Sequence, residues 1–133
     1  MCFKKNLLLA IITFVFILQA NPSFALSKVE TIPECIQTGN CFSTNIKTKD
    51  VEASFNKLLS NMSLLPRSKL LESTKEYYHW TVKSFVFRFT DDIEAFLLSS
   101  ENIIQLKSAS RIGIYDFGIN KQRVKKLSQD LFN

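Results

Sequence analysis

The chain has 133 residues, with 17 basic side chains, 12 acidic side chains and three cysteines. This length fits one domain with a modest hydrophobic core. The formal net charge of +5 is too small to indicate a nucleic-acid partner. A structural zinc site would need more ligands than the single histidine and the few cysteines provide. We expect no metal and no cofactor.

The N-terminal segment has the order of a secretory signal peptide. Lys4 and Lys5 precede residues 7–18, in which Thr13 is the one polar residue, and Ser23-Phe24-Ala25 follows. This apolar run is shorter than the about 20 residues of a spanning helix, so a retained anchor is the less favoured alternative. We expect residues 1–25 to be cleaved, leaving no stable membrane span. The domain would then be periplasmic or secreted, or lie in the thylakoid lumen if the source is photosynthetic.

Cleavage there removes Cys2 and leaves Cys35 and Cys41 as the cysteines of the mature protein. In an oxidising compartment, an isolated pair with this short spacing predicts a disulfide. Closing so short a loop contributes about 2 kcal/mol by chain entropy. The spacing is not the C-x-x-C of redox motifs, which argues against a redox role.

Residues 26–49 are polar and irregular, and they predict an N-terminal arm pinned by the disulfide. Asp50 is then a candidate N-cap, and apolar residues recur at helical spacing as far as Met62. This pattern predicts a first helix that ends before Pro66.

The region from Lys69 to Ile112 is rich in β-branched and aromatic residues, which predicts antiparallel strands. The apolar phase changes at Lys83-Ser84, so we expect a bulge or bend there. Residues 99–102 form the clearest turn. A four-residue turn places Leu98 opposite Ile103 and Glu94 opposite Lys107.

A second helix is predicted after the loop 113–118, with Asn120 as its N-cap. This helix carries four basic residues, Lys121, Arg123, Lys125 and Lys126. They predict a solvated helix face, and binding of phosphate or anionic lipid is the alternative. The order helix, strands, helix predicts an α+β domain over residues 50–133. We expect a two-layer sandwich, an antiparallel sheet of about four strands with both helices on one face.

Two polar segments interrupt the apolar strands. One contains Asp91 and Asp92, and the other runs from Ser108 onward. The predicted register brings both segments to one end of the sheet, with Asp91 facing Ser110. These side chains are the candidate ligand-binding residues: Arg88, Asp91, Asp92, Ser108, Ser110, Arg111, Asp116, Asn120 and Arg123.

These segments resemble the domain-of-unknown-function family 1499, a family of small exported domains. The resemblance rests on FRFTDDIE (87–94), SASRIG (108–113) and DFGINKQRV (116–124), together with Cys35 and the Asn40-Cys41 pair. It spans nearly all of the chain from Cys35 to Leu131. The resemblance implies a fold but no reaction and no ligand, so the function has to be argued from the residues.

Two non-enzymatic interpretations of the polar residues stay open. In the first, they form a structural ion-pair network that locks the loop 113–118 against the sheet, and the domain is a structural or binding module of the cell envelope with an envelope protein as its partner. In the second, Arg88, Arg111 and Arg123 face the two serines and the amides at the start of the second helix, forming a pocket for a small anionic ligand.

An enzyme is the less favoured interpretation. Asp91 and Asp92 would act as paired carboxylates in hydrolysis or bind a divalent cation, but adjacent strand residues point to opposite faces unless a bulge intervenes. His79 is the sole histidine, and the chain has no G-x-S-x-G motif to support a Ser/His/Asp triad. We therefore assign no catalytic residue.

Overall fold

The computed structural model describes residues 31–36 and 39–133. The predicted signal peptide of residues 1–25 lies outside this range, as does the first part of the predicted arm, 26–30.

Five strands and two α-helices make up the described part of the chain. In chain order, the elements are β1 (Cys41–Lys47), α1 (Val51–Ser63), β2 (Ser68–Ser73), β3 (Tyr77–Lys83), β4 (Thr90–Leu98), β5 (Ile103–Ser110) and α2 (Ile119–Gln129). A 3₁₀ turn at Ser99–Glu101 connects β4 to β5. The predicted α+β class is confirmed.

The strands form one antiparallel sheet in the order β1-β5-β4-β3-β2. The predicted register of the β4–β5 hairpin is confirmed, because Leu98 pairs with Ile103 and Glu94 pairs with Lys107. This register also sets Asp91 opposite Ser110, where β4 begins and β5 ends. The turn therefore determines which polar residues meet at the far end of the hairpin.

The strand β1 differs from the prediction, since Cys41–Lys47 falls in the segment predicted to be irregular. It pairs with β5 along its whole length, from Cys41 opposite Ala109 to Lys47 opposite Ile103. The alternation in β1 is weak because Thr44 lies between the two apolar residues of its inner face, Phe42 and Ile46. Its partner strand is also remote in the chain, so local sequence gives little sign of the pairing. With this added edge strand the sheet has five strands, close to the about four that the sequence predicts.

The predicted bend at Lys83-Ser84 is present, but it is part of a longer loop than the sequence indicates. The chain leaves β3 at Lys83 and re-enters the sheet at Thr90. The loop between them is closed by the Ser84 amide, which donates to the Phe89 carbonyl at 2.8 Å, and by the Phe89 amide, which donates to Ser84 Oγ at 2.9 Å. The aromatic residues of this loop have high strand propensity but are exposed, which is why the pattern is misleading.

One hydrophobic core joins both helices to one face of the sheet. The helices contribute Phe55, Leu58 and Met62 from α1 and Val124 and Leu127 from α2. The inner face of the sheet contributes alternate residues of four strands: Ile46, Trp80, Val82, Ile93, Ala95, Leu97, Ile104 and Leu106. The predicted N-cap of α1 is confirmed, because Asp50 Oδ1 accepts a hydrogen bond from the Ala53 amide at 3.0 Å. Neither helix in the described part has the length and apolar run needed to cross a membrane.

The start of α2 corrects the prediction that Asn120 is its N-cap. The helix begins at Ile119, and Gly118 occupies the N-cap position with φ 77°. The carboxylate of Asp116 accepts hydrogen bonds from the amides of Gly118 and Asn120, each at 2.8 Å. Asp116 therefore caps the helix, and the Asn120 side chain is free to turn into the protein.

Candidate functional site

The predicted site residues divide between the two faces of the sheet. Asp91 and Asp92 are consecutive in β4, and their carboxylates point to opposite sides. Asp91 meets residues of β5 and α2 on the helix-covered face, whereas Asp92 meets residues on the other face. The polar residues thus form two separate clusters.

The first group, which we name the inner polar cluster, lies between the sheet and α2. Its members are Asp91, Ser108, Ser110, Asn120 and Arg123. Arg123 Nη2 donates to Asp91 Oδ2 at 2.9 Å, and Ser110 Oγ donates to Asp91 Oδ1 at 2.7 Å. The side chains of Asp91 and Arg123 are only 7% and 12% exposed, so this is a largely buried ion pair.

Asn120 is the centre of the inner polar cluster, and its amide group is fully hydrogen-bonded. Its Oδ1 accepts from Ser108 Oγ at 2.6 Å and from Arg123 Nη1 at 2.7 Å. Its Nδ2 donates to Ser110 Oγ at 2.9 Å and to the Asn40 carbonyl at 3.0 Å. An amide side chain has two donors and two acceptor lone pairs, so none is left for a ligand. Among the described residues, the one buried side-chain oxygen or nitrogen without a partner is Thr48 Oγ1, at the other end of β1.

Asn40 connects the inner polar cluster to the loop 111–118 and to the N-terminal arm, which in the structure is the described segment before β1. Its carbonyl also accepts from the Ser110 amide at 2.9 Å, and its Nδ2 donates to the Gly113 carbonyl. A further hydrogen bond joins the same loop to the arm, because the Asp116 amide donates to the Gly39 carbonyl at 3.0 Å. Asn40 is absent from the predicted site residues; its position beside Cys41 is the sequence signal that could have found it.

The arm is held in place by its cysteines. The Sγ atoms of Cys35 and Cys41 lie 2.04 Å apart, which is bonding distance. The predicted pairing of these two cysteines is therefore confirmed in the structure. It fixes the chain just before Asn40, the residue that contacts both β5 and α2.

The second group, the outer polar cluster, consists of His79, Asp92 and Arg111 on the opposite face. Arg111 binds Asp92 with two hydrogen bonds, from Nε to Oδ2 at 2.8 Å and from Nη2 to Oδ1 at 2.7 Å. His79 Nε2 lies 2.7 Å from Asp92 Oδ1. Partial burial would raise the pKa of Asp92, but the hydrogen bonds and charges of Arg111 and His79 outweigh it and hold the pKa below its usual value. Asp92 reciprocally raises the pKa of the Arg111 guanidinium.

The same face carries a further polar chain across β3, β4 and β5. Tyr77 donates its hydroxyl to Glu94 Oε1 at 2.7 Å, and Lys107 Nζ lies 3.6 Å from Glu94 Oε2. Burial, followed by the hydrogen bond to Glu94, raises the pKa of Tyr77. This face also has a small apolar cluster of Ile32, Tyr77 and Phe96, so the arm covers part of it.

The three arginines of the predicted anion pocket lie apart in the structure. Arg123 is inside, Arg111 is on the other face, and Arg88 lies in the exposed loop 84–89 without a hydrogen bond or ion pair to the described residues. The helix N-terminus that would receive an anion already holds the Asp116 carboxylate. The four bases near the C-terminus do not share one face either, because Arg123 turns inward.

A cavity of about 610 Å³ opens between the arm, β1 and the start of α2. Its lining includes Cys35, Cys41, Phe42, Tyr115, Asp116 and Lys121. The volume is in the range of ligand pockets, although Asp116 is the one predicted site residue that lines it. The described residues contain no group of three or more His, Cys, Asp or Glu side chains placed to hold a metal ion.

Comparison with known families gives one match that covers most of the chain. The family model described as Protein of unknown function (DUF1499) matches residues 31–131. A comparison with curated proteins finds no match. The matched range contains both polar clusters and both cysteines of the arm, and on this evidence the chain belongs to the DUF1499 family of proteins of unknown function.

Proposed function

We propose that the chain is an exported, non-enzymatic binding module and that its inner polar cluster is a structural lock. The observation that carries this proposal is the closure of the cluster. Both oxygens of Asp91 and all four hydrogen-bonding positions of Asn120 are used within the chain. A buried group that is fully satisfied stabilises one conformation and has no free position for a substrate.

The lock adds polar contacts between three parts of the domain that the core and the disulfide already bring together. Through Asn40 and Asn120 it ties the arm, β5 and α2 together, and Asp116 and Gly113 tie the loop 111–118 to the arm. The shared core of both helices and one sheet face supports the proposal that the domain is a two-layer sandwich with both helices on one side. In this arrangement the lock closes one end of the interface between the layers.

Catalysis by paired carboxylates has no support in this geometry. The carboxylates of Asp91 and Asp92 point to opposite faces and cannot act on one bound atom. Both oxygens of Asp92 are bonded to Arg111, and one of them also contacts His79. The arrangement is that of a surface ion-pair network.

Export is supported by the order of residues 1–25 and by the bonded cysteines, since disulfides persist in oxidising compartments. We propose a periplasmic or secreted location, or the thylakoid lumen in a photosynthetic source, and an envelope partner. N-terminal sequencing of the native protein should start at or near Leu26. A native chain that begins at Met1 would contradict the cleavage.

The competing proposal, a pocket for a small anion, makes a different prediction for binding of sulfate or phosphate. A lock has no open arginine site, so millimolar sulfate or phosphate should leave the melting temperature of the protein unchanged beyond the general salt effect given by chloride. Arg88→Gln is the matched variant, because Arg88 is exposed and its loss should not affect folding. Stabilisation by phosphate that disappears in Arg88→Gln would establish an anion site at this arginine, whereas the lock is tested by the loss of Asp91 from the inner polar cluster.

A further inference from the structure

Two loops project side by side from one end of the sheet, and we name residues 84–89 and 111–118 the tip loops. The first connects β3 to β4, and the second connects β5 to α2. The Arg111 amide donates to the Thr90 carbonyl at 3.1 Å, so the two loops begin at adjacent points. The inner polar cluster lies directly beneath them.

The tip loops carry an unusual amount of exposed apolar surface. Phe85, Ile114 and Phe117 are each 80% exposed. Large apolar side chains make up most of the rest of the surface: Val86, Phe87, Phe89, Ile112 and Tyr115. Soluble monomers rarely expose large contiguous apolar patches, and those that exist mark interaction sites.

The opposite end of the sheet provides an internal comparison. Its turns at residues 74–76 and 99–102 have the sequences TKE and SSEN, without one apolar side chain. The strand-connecting turns at the two ends of the sheet therefore differ in apolar content. The exposed Phe132 near the polar turns is a single residue, whereas the tip loops carry several together.

Cations lie in and next to the tip loops. They are Arg67, Lys83, Arg88 and Lys121, while Arg111 is paired with Asp92. The Arg67 guanidinium lies 5.5 Å from the centre of the Phe85 ring, and its Nε donates to the Lys83 carbonyl. Asp116 is the one acidic residue in the tip loops, and its carboxylate is bonded to backbone amides. The stretch 83–90 has two cations and no acid.

This combination matches the chemistry of a lipid–water interface. Aromatic side chains are favoured at the headgroup level, and apolar side chains gain by entering the acyl boundary. Lysine and arginine beside them are attracted to anionic headgroups. The apolar groups are on projecting loops instead of in a groove, so a soft bilayer surface can receive them without a complementary pocket.

We propose that the tip loops dock the domain on the surface of an anionic lipid bilayer, with their aromatic and aliphatic side chains inserted and the cations on the headgroups. The inference rests on the proposed function, since it names the partner of the binding module. The lock contributes by holding the loop 111–118 in one shape before it meets the bilayer.

Co-sedimentation with vesicles tests the proposal. The exported protein, purified after cleavage of the signal peptide, is mixed with vesicles of phosphatidylcholine alone or with phosphatidylglycerol added. Phe85→Ser combined with Phe87→Ser should weaken binding to the anionic vesicles about tenfold or more. Arg88→Gln should weaken it about fivefold. Phe132→Ser is the matched control, since Phe132 is 67% exposed beside Lys49 and Asp50, away from the tip.

Tryptophan fluorescence gives a second test, in which insertion of the tip produces a change of emission. Trp80 is the single tryptophan and is only 5% exposed, so a tryptophan placed at the tip reports its own surroundings. Phe87→Trp should show a blue-shifted emission with anionic vesicles and be quenched by brominated lipid. Phe132→Trp should show neither effect. Circular dichroism and the urea midpoint establish that each variant is folded.

Equal binding of the tip variants and the unsubstituted chain would overturn the proposal, as would equal binding to neutral and anionic vesicles with no effect of Arg88→Gln. If Phe85→Ser with Phe87→Ser instead converts a dimer to a monomer and no variant binds vesicles, a second copy covers the tip and the proposal is also overturned. None of these outcomes changes the test of the lock, which uses the unfolding free energy of variants at buried residues of the inner polar cluster.

Discussion

Asp91 and Asp92 are neighbours in the chain, yet they pair with different arginines on opposite faces of the sheet. Asp91 Oδ2 lies 2.9 Å from Arg123 Nη2, and Asp92 Oδ1 lies 2.7 Å from Arg111 Nη2. The Asp91 pair is nearly buried, whereas the Arg111 side chain is 47% exposed. Similar distances therefore correspond to different contributions to stability, because solvent screens the second pair and not the first.

The first prediction compares Asp91→Asn with Asp92→Asn. Loss of the buried carboxylate leaves the Arg123 guanidinium without its counter-charge, which costs about 3 kcal/mol of unfolding free energy. Loss of the outer carboxylate should cost about 1 kcal/mol or less. Urea unfolding at neutral pH measures both costs. The urea midpoint of Asp91→Asn should be about 1 to 3 M below that of the unsubstituted protein. Near-native midpoints for both variants would show that the inner polar cluster does not act as a lock.

This asymmetry could be predicted from the sequence because it depends on two local rules. The turn at residues 99–102 determines the β4–β5 register, and strand alternation then separates Asp91 from Asp92. The identity of the partners could not be predicted in the same way. Arg123 reaches Asp91 because Asp116, and not Asn120, caps α2, and the choice between these two capping residues, four positions apart, depends on the shape of the loop before the helix.

The two differences in the fold have a common physical cause. In β1, polar residues pair with a distant strand, so the long-range pairing outweighs a weak local pattern. In the loop 84–89, aromatic residues with high strand propensity are held outside the sheet, with Arg88 at φ 55°. Strand propensity mostly reflects packing on a half-buried surface, and it fails where that surface is absent. The exposed loop is also where we place the binding surface.

The second prediction concerns acid stability. The pKa of Asp92 in the folded protein is below its usual value, so its carboxylate contributes stability above the unfolded pKa of about 3.9. That contribution is lost as the pH falls through the folded pKa. The difference in unfolding free energy between the unsubstituted protein and Asp92→Asn should thus decrease as the pH is lowered from about 5 through the folded pKa. A difference that stays constant over this range would show that the carboxylate charge is not responsible.

The third prediction concerns Tyr77, whose hydroxyl donates to Glu94. Tyr77→Phe should cost about 1 kcal/mol at neutral pH through the lost hydrogen bond. Because the folded pKa of Tyr77 is raised, its contribution is complete below the unfolded pKa of about 10 and is lost as the pH rises above it. In urea unfolding at increasing alkaline pH, the unfolding free energies of the unsubstituted protein and Tyr77→Phe should converge. Tyr115→Phe, at an exposed tyrosine, is the matched control and should follow the unsubstituted protein.

The fourth prediction concerns the bond between Cys35 and Cys41. Replacing both residues with serine should lower the unfolding free energy by about 2 kcal/mol, from the chain entropy of a short loop. A peptide map without reductant should contain the linked fragment, and reduction should separate it. Recovery of both cysteines as free thiols from the native, unreduced protein would contradict the bond.

The last prediction tests whether the arm and the loop 111–118 are held together as closely as the structure shows. A Cβ atom added at Gly39 would overlap the Ile114 carbonyl oxygen, a backbone atom that cannot move without the loop. Gly39→Ala should therefore cost about 1 to 3 kcal/mol, as overpacking does, and displace the loop. Urea unfolding gives the cost, and faster hydrogen exchange of the Asp116 amide, which donates to the Gly39 carbonyl, reports the displacement.

Gly113→Ala is the control, since a Cβ there meets no atom within 4 Å and its cost arises from φ 90° alone. It should destabilise the protein without a clash between the loop and the arm, so exchange of the Asp116 amide should increase less than in Gly39→Ala. If Gly39→Ala has a native midpoint and native exchange at Asp116, the arm does not restrain the loop, and the lock ends at Asn40.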